Sequence, residues 1–551
     1  MLRKLAKIVV TVLWLVPGIL LWASFPPFGE KMDAIFALAP LLWLARRGDR
    51  RKATRTWFLN GAIFWLATLS WMPAIVKNGG PWPLVALGWF ALAAYCALYF
   101  GAFGWLSSTA WLWARRGEYW RRLCVIIFAE PILWAGLELV RSRLFGGFAW
   151  NQLGIPAINA GFGEPASVGG VYLVSAMVVL VSGTLASVAE RMLVGFDRIK
   201  IDDGIPKWLR SVETLIPFAI VYLIYTASAN SAIQQSDDPT VPQSNNHLSV
   251  ALVQRNFPCI FERHGNENPL EEYSRLFASA AALRPQLVVL SESALSEFGS
   301  IGSERAKLFA DFAMRNTGAN ALLAGGGRRD AERREYNSAA LYTQGGLQTY
   351  DKAHLVPFGE FIPLDKTFTS LQKLAPVGSC TPGELTLLDS NGIKIGVAIC
   401  YEDTDSAQIR RIAEMGAQVL AFITNDSWFS HSEETIQHAW HSIARAIETG
   451  LPVVRVGNSG VTGTISATGV TNWLGDDNGK PRIDSQGVMV DCIIPATGTT
   501  ATPYVRFGDK PLAIAFALIL LALLADRLRP KPHTHTAQYL NTPTSQPENM
   551  I

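Results

Sequence analysis

Three side chains that could perform acyl chemistry together follow the ends of predicted strands. Cys400 comes directly after the apolar stretch KIGVAI, Glu292 follows LVVL after one serine, and Lys352 lies just past a strand that ends at Tyr350. In open α/β sheets, reactive groups gather where strands end and loops begin. Singly, however, a cysteine at a strand end is usually a small buried hydrophobe, and a lone charge is usually a solvated surface group.

As a set, the three residues have complementary chemistry. An unperturbed thiol has a pKa of about 8.5, so a base must remove its proton for fast attack at neutral pH. Glu292 could be that base. Attack on a carbonyl carbon builds an oxyanion, which the Lys352 ammonium and the backbone N–H of Tyr401 could stabilise. The three residues therefore predict a nucleophilic Cys400 in an enzyme that acts on carbonyl compounds.

Other polar motifs favour non-catalytic interpretations. The glycine-rich turn at Gly325–Gly327 has no following Lys-Ser or Lys-Thr, so a phosphate loop is not indicated. His438 and His441 lie on a predicted helix, but their spacing is not that of HExxH, and we interpret them as core or surface histidines. His533 and His535 belong to a polar tail. Six cysteines without a CxxC pair indicate neither zinc nor a disulfide scaffold, and we expect no metal and no cofactor.

The segments around the three residues alternate between strand-like and helix-like patterns. The stretch KIGVAI is apolar almost throughout, which is typical of a strand covered on both faces. Strands that alternate with helices predict an α/β fold in which helices are layered on a sheet. The predicted strands are 286–290, 321–324, 346–350, 394–399, 419–424 and 453–456, and the predicted helices are 269–283 and 406–415.

Composition indicates that the rest of the chain is embedded in a membrane. Of 551 residues, 49% are hydrophobic and only 17% are charged, against about 25% charged in a typical soluble domain. This composition argues against a disordered protein and against a wholly soluble enzyme. The net charge is +3 and no basic run resembles a nucleic-acid surface, so we expect no nucleic-acid partner.

Eight apolar stretches are candidates for membrane spans. A hydrocarbon core of about 30 Å needs roughly 20 helical residues, and most of the stretches approach that length. The second is short and contains Pro40. The first is too long for a signal peptide and lacks a small-x-small cleavage site, so we expect an uncleaved helix. The stretches lie near 7–24, 33–45, 57–75, 84–113, 123–140, 167–187, 213–229 and 511–525.

Basic clusters test this count independently. They precede the first span and follow the second, fourth, sixth and eighth, so all of them are cytoplasmic if the N-terminus is. The chain then divides into transmembrane helices one to seven (1–230), a large domain on the outer side (231–509), transmembrane helix eight (510–528) and a disordered cytoplasmic tail (529–551).

Several motifs of the chain resemble those of known families. Glu, Lys and Cys in this order at strand ends resemble the nitrilase superfamily of carbon–nitrogen hydrolases. The strings YDKAHLVPFGEFIP, AICYED, TNDSWF and ARAIETGLPVVRVGNSG are similar to the apolipoprotein N-acyltransferase family, and FPPFGE and GFAWNQLG are similar to that family's membrane half. LVPFGE together with CYE is specific, whereas GFAW alone is not.

The resemblance implies a fold and a reaction. The fold is a membrane α-helical bundle of eight transmembrane helices plus a periplasmic α/β nitrilase-like αββα sandwich. The enzyme would be a multi-pass protein of the bacterial inner membrane, a monomer with both termini in the cytoplasm. Cys400 would take an acyl chain from a phospholipid as a thioester. The α-amino group of a diacylglyceryl-modified N-terminal cysteine of a lipoprotein would then accept that chain.

The resemblance also implies roles for residues beyond Glu292, Lys352 and Cys400. Glu360 would orient Lys352 or the incoming amine, and Asn337 would be a supporting polar residue. Tyr401 and Glu402 match the positions after the nucleophile, and Glu402 could equally anchor the catalytic strand. The remaining two, Trp428 and Phe358, would form a lid or a substrate-binding surface, although plain packing is the alternative for Trp428.

Two positions depart from the family pattern. Ser291 replaces a proline before the catalytic glutamate, which could loosen the turn, although serine is a frequent turn residue. Arg263 and His264 lie in a stretch where many members carry tryptophan, which changes the expected lining of the lipid entrance.

Two other classes of protein remain compatible with these residues. A membrane-tethered amidase would send water to the thioester and could use the same three groups. A non-catalytic lipid-binding relative is the other class, and the intact set of three argues against it.

Overall fold

Apolar helices form the N-terminal part of the chain. The computed structural model describes residues 14–31, 33–116, 119–195, 207–236, 247–258, 268–362, 379–429, 431–476, 479–497 and 501–528. The helices of this part are α1 (Val16–Ala23), α2 (Asp33–Arg46), α3 (Arg50–Thr68), α4 (Trp82–Ala114), α5 (Trp120–Arg141), α6 (Gly154–Asn159), α7 (Ala166–Gly195) and α8 (Lys207–Ser236).

Four helices among the described residues are long and apolar enough to cross a membrane. They are α4, α5, most of α7 and the helix Lys510–Leu528 near the C-terminus. The predicted fourth, fifth, sixth and eighth spans are therefore confirmed by length and composition. The apolar part of α8, Thr214–Ser228, is shorter than a full span, and α2 has 14 residues with Pro40 inside. The count of eight stays a prediction, and residues 7–13 of the first predicted span lie outside the described residues.

The third predicted span, 57–75, has the wrong boundaries. Helix α3 begins earlier, where the Asp49 side chain accepts a hydrogen bond from the backbone N–H of Lys52, and it ends at Thr68. A separate 3₁₀ turn, Met72–Val76, follows. Pro73 explains the break, because proline has no N–H to continue the ladder of helical hydrogen bonds.

The basic ends of several apolar helices meet at one end of the bundle. The Arg115 guanidinium, after α4, donates a hydrogen bond of 3.1 Å to the carbonyl of Arg47, just after α2. Its neighbour Arg116 forms an ion pair of 3.0 Å with Asp526 in the last helix. The basic residues that follow the second and fourth predicted spans therefore lie on the same side as the C-terminal end of the last helix, as the alternation of charges requires.

Two six-stranded sheets lie face to face after α8. The strands are β1 (Leu248–Gln254), β2 (Leu287–Leu290), β3 (Ala321–Arg329), β4 (Glu335–Thr343), β5 (Gly346–Asp351), β6 (Leu387–Ser390), β7 (Ile393–Ile399), β8 (Val419–Asn425), β9 (Val453–Asn458), β10 (Gly463–Ile465), β11 (Thr471–Trp473) and β12 (Gly487–Ile493). The strand order is β12-β1-β2-β3-β4-β5 in one sheet and β11-β10-β9-β8-β7-β6 in the other. The central strands β7, β8 and β9 run parallel.

Helices cover the outer faces of both sheets. The covering helices are α9 (Pro269–Ala281), α10 (Glu304–Thr317), α11 (Ser406–Glu414) and α12 (Glu434–Thr449). Two more helices follow β12: the short α13 (Pro503–Phe507) and α14 (Lys510–Leu528), which is the apolar helix described above. Aliphatic side chains such as Leu252, Val289, Val397 and Ile423 fill the space between the sheets. The first sheet packs on α9 and α10, and the second on α11 and α12. The predicted αββα sandwich is confirmed, as are the six predicted strands and two helices, to within a few residues at their ends.

The glycines at 325–327 lie inside a strand, so the predicted turn there is wrong. They belong to β3, and each pairs with a residue of β4. A side chain on Gly325 would place its Cβ only 2.6 Å from the Cα of Glu292. The absence of a side chain lets the loop that carries Glu292 lie against this strand.

Candidate active site

Cys400 occupies a strained position at the carboxyl end of β7. The strand ends at Ile399, and a 3₁₀ turn runs from Cys400 to Thr404. The backbone φ of Cys400 is +54°, a conformation that residues other than glycine adopt rarely, because their Cβ approaches backbone atoms. Strain of this kind is retained when the surrounding structure fixes it, and it gathers at functional sites. The residue as a whole is half-buried.

Glu292 reaches the site from the other sheet. It follows β2, and its side chain is 7% exposed. The carboxylate accepts a hydrogen bond of 2.8 Å at Oε1 from Asn337 Nδ2, and one of 2.8 Å at Oε2 from the backbone N–H of Asn425. The carbonyl of Ser291 accepts a hydrogen bond from the N–H of Gly325, so β3 holds the turn in which serine replaces proline.

Lys352 lies between two carboxylates. It follows β5 and is 1% exposed. Its Nζ is 2.9 Å from Oε1 of Glu360 and 4.0 Å from Oε1 of Glu292. Glu360 also accepts a hydrogen bond of 2.6 Å from Asn337 and one of 2.8 Å from the backbone N–H of Val356. Because Asn337 donates to both carboxylates, it fixes the distance between them.

Burial and these charges set the protonation states. Burial and the charge of Glu360 raise the pKa of Glu292, while Lys352 opposes that rise. Burial also opposes the charge of Lys352, but Glu360, Cys400 and Glu292 outweigh it, so the pKa of the ammonium is raised. Lys352 keeps the pKa of Glu360 low despite burial. Lys352 and Glu360 are thus a permanent ion pair.

The Cys400 thiol responds to the same neighbours. Burial raises its pKa well above the ordinary value, and the Glu292 carboxylate raises it further. The Lys352 ammonium acts in the opposite direction. The raised pKa of Glu292 makes its carboxylate a stronger base than a solvated one, so it can take the thiol proton as the sulfur attacks.

Glu402 anchors the turn that begins at Cys400. Its carboxylate is fully buried and accepts hydrogen bonds from the Tyr350 hydroxyl and from the backbone N–H groups of Ala353, His354 and Ile399, at 2.8–3.0 Å. These donors belong to the segments that carry Lys352 and Cys400. The geometry therefore favours the anchoring role over a direct one.

Tyr401 connects the turn that begins at Cys400 with the membrane half through a hydrogen bond and a ring contact. Its hydroxyl accepts a hydrogen bond of 3.3 Å from the backbone N–H of Ala149. Its ring is nearly parallel to that of Trp150, with 6.4 Å between the centroids. The string GFAW therefore lies beside Tyr401, the residue that follows Cys400.

Trp428 and Phe358 are more exposed than Glu292 and Lys352. Trp428 is half-buried in the 3₁₀ turn Asp426–Phe429, and its carbonyl accepts a hydrogen bond of 2.8 Å from Asn78 of the membrane half. Phe358 is on a turn at φ +61° and is 65% exposed. The stretch with Arg263 and His264 falls outside the described residues, as do His533 and His535.

His438 is a neighbour of Cys400 that the sequence did not reveal. Its Nε2 is 3.3 Å from the carbonyl oxygen of Cys400. Its partners come from three separate segments, so no local pattern marks it. His441, also fully buried, accepts a hydrogen bond of 3.3 Å from the backbone N–H of Asn151. Both histidines are therefore core residues, one of the two interpretations offered for them.

Within the described part of the chain, one group could offer three ligand atoms to a metal ion. Asp426, Glu434 and His438 bring such atoms within 4.8 Å of one another. However, Arg455 Nη2 lies 3.7 Å from Oδ2 of Asp426, and both ring nitrogens of His438 lie within 3.3 Å of oxygen acceptors. A guanidinium at this distance competes with a cation, so the geometry favours a network of ion pairs.

Comparisons with known proteins agree with both halves of this description. Residues 17–184 match the model of the apolipoprotein N-acyltransferase N-terminal domain, and residues 249–478 match that of carbon–nitrogen hydrolases. Together the two models extend from the membrane helices to the sheets that carry Glu292, Lys352 and Cys400.

Three similar proteins carry the same name. A protein of Geobacter metallireducens named apolipoprotein N-acyltransferase is 31% identical, over 82% of this chain and 84% of its own. Proteins of the same name from Photobacterium profundum and Vibrio parahaemolyticus are 27% and 26% identical, over 93% and 90% of this chain and 95% and 93% of their own. The chain belongs to the apolipoprotein N-acyltransferase family.

Proposed function

We propose that the protein moves a fatty acyl chain from a membrane phospholipid to the α-amino group of a diacylglyceryl-modified N-terminal cysteine of a lipoprotein. The observation that carries the proposal is the placement of Lys352 between Glu292 and Glu360, next to Cys400, in a chain whose two halves match the family. We propose that Glu292, Lys352 and Cys400 are the catalytic residues.

The first step makes a thioester. Glu292 takes the thiol proton as the sulfur of Cys400 attacks the ester carbonyl of the phospholipid. A carbon–sulfur bond forms and the ester carbon–oxygen bond breaks. The Lys352 ammonium, together with the N–H of Tyr401, stabilises the oxyanion between these events. Glu292 then gives its proton to the departing alkoxide, which leaves as the hydroxyl of a lysophospholipid.

The second step transfers the chain to nitrogen. The amine attacks the thioester carbonyl, a carbon–nitrogen bond forms and the carbon–sulfur bond breaks. Glu292 accepts the proton that the amine loses and returns it to the sulfur. A thioester donates its acyl group to an amine more readily than the original ester does, so the intermediate divides one difficult step into two easier ones.

The membrane helices hold the substrates near this chemistry. Both substrates carry acyl chains, which the bilayer holds by about 0.8 kcal/mol per buried CH₂. We propose eight spans within 1–230 and 510–528, with the catalytic domain 231–509 on the periplasmic side of the inner membrane and both termini in the cytoplasm. The basic ends that meet around Arg115 and Arg116 support this orientation.

We assign Trp428 and Phe358 to the lipid entrance. The exposed ring of Phe358 and the half-buried Trp428, next to Asn78 of the membrane half, support an apolar surface beside the site. Asn337 and Glu360 support the catalytic groups, and Glu402 and Tyr401 hold the turn after Cys400. We propose that the enzyme acts as a monomer.

An acceptor assay tests the transferase against an amidase. Purified protein would be loaded with acyl chain from phospholipid vesicles and then offered a diacylglyceryl-cysteinyl peptide, the same peptide with an acetylated amine, or buffer alone. We expect the free amine alone to discharge the adduct rapidly and to gain one acyl group by mass. Discharge at the same rate by buffer would contradict the proposal and indicate hydrolysis.

The pH dependence of acylation is expected to shift in Glu360→Gln. Because Glu360 raises the pKa of Glu292 and neutralises part of the charge of Lys352, its removal should lower the pKa of Glu292. The base is active when ionised, so the acid limb of the rate of acylation should move to lower pH. The exposed Glu384→Gln should leave the limb in place. A limb that moves to higher pH would contradict these assignments.

A further inference from the structure

The His438 side chain contacts the backbone carbonyl of Cys400. The side chain comes from α12 and is 1% exposed. Its Nε2 lies 3.3 Å from the carbonyl oxygen of Cys400 and 2.9 Å from Oδ1 of Asp403. Its Nδ1 lies 3.2 Å from Oδ1 of Asp426. The imidazole is thus next to the peptide bond that joins Cys400 to Tyr401.

The surroundings of His438 require the imidazolium form. The nearest polar atoms of both ring nitrogens are oxygen acceptors, two carboxylates and one carbonyl. A neutral imidazole would place a lone pair against one of these oxygens, whereas the protonated ring donates from both nitrogens. The pKa of His438 is accordingly raised to about 10: burial opposes the charge, but Asp403 outweighs it.

The charges of the cluster balance in this state. Arg455 adds a second positive charge, 2.5 Å from Asp403 and 3.7 Å from Asp426. Glu434 is the third carboxyl group, 3.8 Å from Nδ1 of His438. Burial and the neighbouring Asp426 raise the pKa of Glu434, which favours its neutral form. Two cations then face two carboxylates, which a buried site tolerates far better than an unpaired charge.

We propose that His438 is a positioning residue for acyl transfer: its imidazolium binds the Cys400 carbonyl and strengthens the Tyr401 N–H as a donor to the oxyanion. The inference rests on the proposed function and names a further residue for it. A hydrogen bond to the carbonyl oxygen of a peptide polarises that peptide, and its N–H becomes a stronger donor by about 10–30%. A charged donor has a larger effect than a neutral one.

Two more features of the site support this role. The left-handed backbone of Cys400 needs contacts that fix it, and the His438 contact acts on the same residue. The ring of Trp150 lies 5.6 Å from that of His438 and 6.4 Å from that of Tyr401. It therefore shields the hydrogen bond from water, and the low dielectric strengthens the bond.

Two reagents that react with Cys400 distinguish a loss of oxyanion stabilisation from a general disruption of the site. An activated ester such as p-nitrophenyl butyrate acylates Cys400 through a tetrahedral oxyanion and needs no lipid. Iodoacetamide alkylates the same thiol by direct displacement, without an oxyanion. In His438→Gln we expect acylation to slow about 10-fold or more and alkylation to change less than about twofold.

Two further variants complete the test. His441→Gln, one turn further along α12 and equally buried, should keep both rates within about twofold. The double variant His438→Gln/Asp426→Asn removes one charge of each sign and so keeps the cluster neutral, and it serves if the single variant does not fold. It should show the same selective loss of acylation. Equal loss of both reactions, or loss of neither, would overturn the inference. Because the ester is not a lipid, this result is independent of whether phospholipid is the donor.

Discussion

Glu292→Gln is expected to slow thioester formation at Cys400 by about 10³-fold at neutral pH. The amide has the shape of the carboxylate but cannot accept the thiol proton. Since burial raises the pKa of that thiol, little thiolate exists without the base. The rate of acyl-enzyme formation from phospholipid vesicles, followed by mass, measures the effect.

The pH profile of this variant makes the assignment specific. Without the base, the rate should increase with pH as hydroxide removes the thiol proton, so part of the loss is recovered under alkaline conditions. Glu335→Gln, on strand β4 of the same sheet and paired with Arg329 at the surface, should behave like the wild type. A Glu292→Gln enzyme within 10-fold of the wild type at neutral pH would contradict the role of the carboxylate as base.

Lys352→Met is expected to lower the same rate by about 10²–10³-fold. Methionine occupies a similar volume and removes the positive charge that faces the oxyanion. The loss of charge also leaves Glu292 next to Glu360 without a cation between them, so the pKa of Glu292 should rise further. The acid limb of the pH profile should then move to higher pH, opposite to the shift expected for Glu360→Gln.

A matched substitution controls for the change of side chain. Lys394→Met replaces an exposed lysine in β7, the strand that ends at Cys400, and should leave the rate and the pH profile unchanged. An acylation rate in Lys352→Met within about 10-fold of the wild type would contradict the role of Lys352, because the oxyanion would then depend on backbone donors alone.

Local patterns predicted the α/β layers and the positions of Glu292, Lys352 and Cys400 at strand ends, whereas the αββα sandwich was predicted from the family resemblance. The second part of β7, from Ile395 to Ile399, is buried on both faces and apolar throughout, and Cys400 follows at its carboxyl end. Glu292 and Lys352 were found in the same way from β2 and β5. The anchoring role of Glu402, one of two alternatives, is supported by its backbone hydrogen bonds.

Features that depend on distant segments could not be predicted. Gly325 was assigned to a turn because glycine favours turns, whereas its function is to admit Glu292 from another loop. His438 lies beside Cys400 because of the way α12 packs on the second sheet, and its carboxylate partners are 12 and 35 residues away in the chain. The boundaries of the third predicted span depend on where helix α3 begins and ends, and a hydropathy pattern does not define those residues.

Intact-mass analysis after incubation with phospholipid vesicles tests the central claim most directly. The wild type is predicted to gain the mass of one fatty acyl group, which hydroxylamine removes, while Cys400→Ala gains nothing. A hydroxylamine-sensitive adduct that persists in Cys400→Ala, or a wild-type enzyme that acylates the diacylglyceryl peptide without forming any adduct, would contradict a thioester at Cys400.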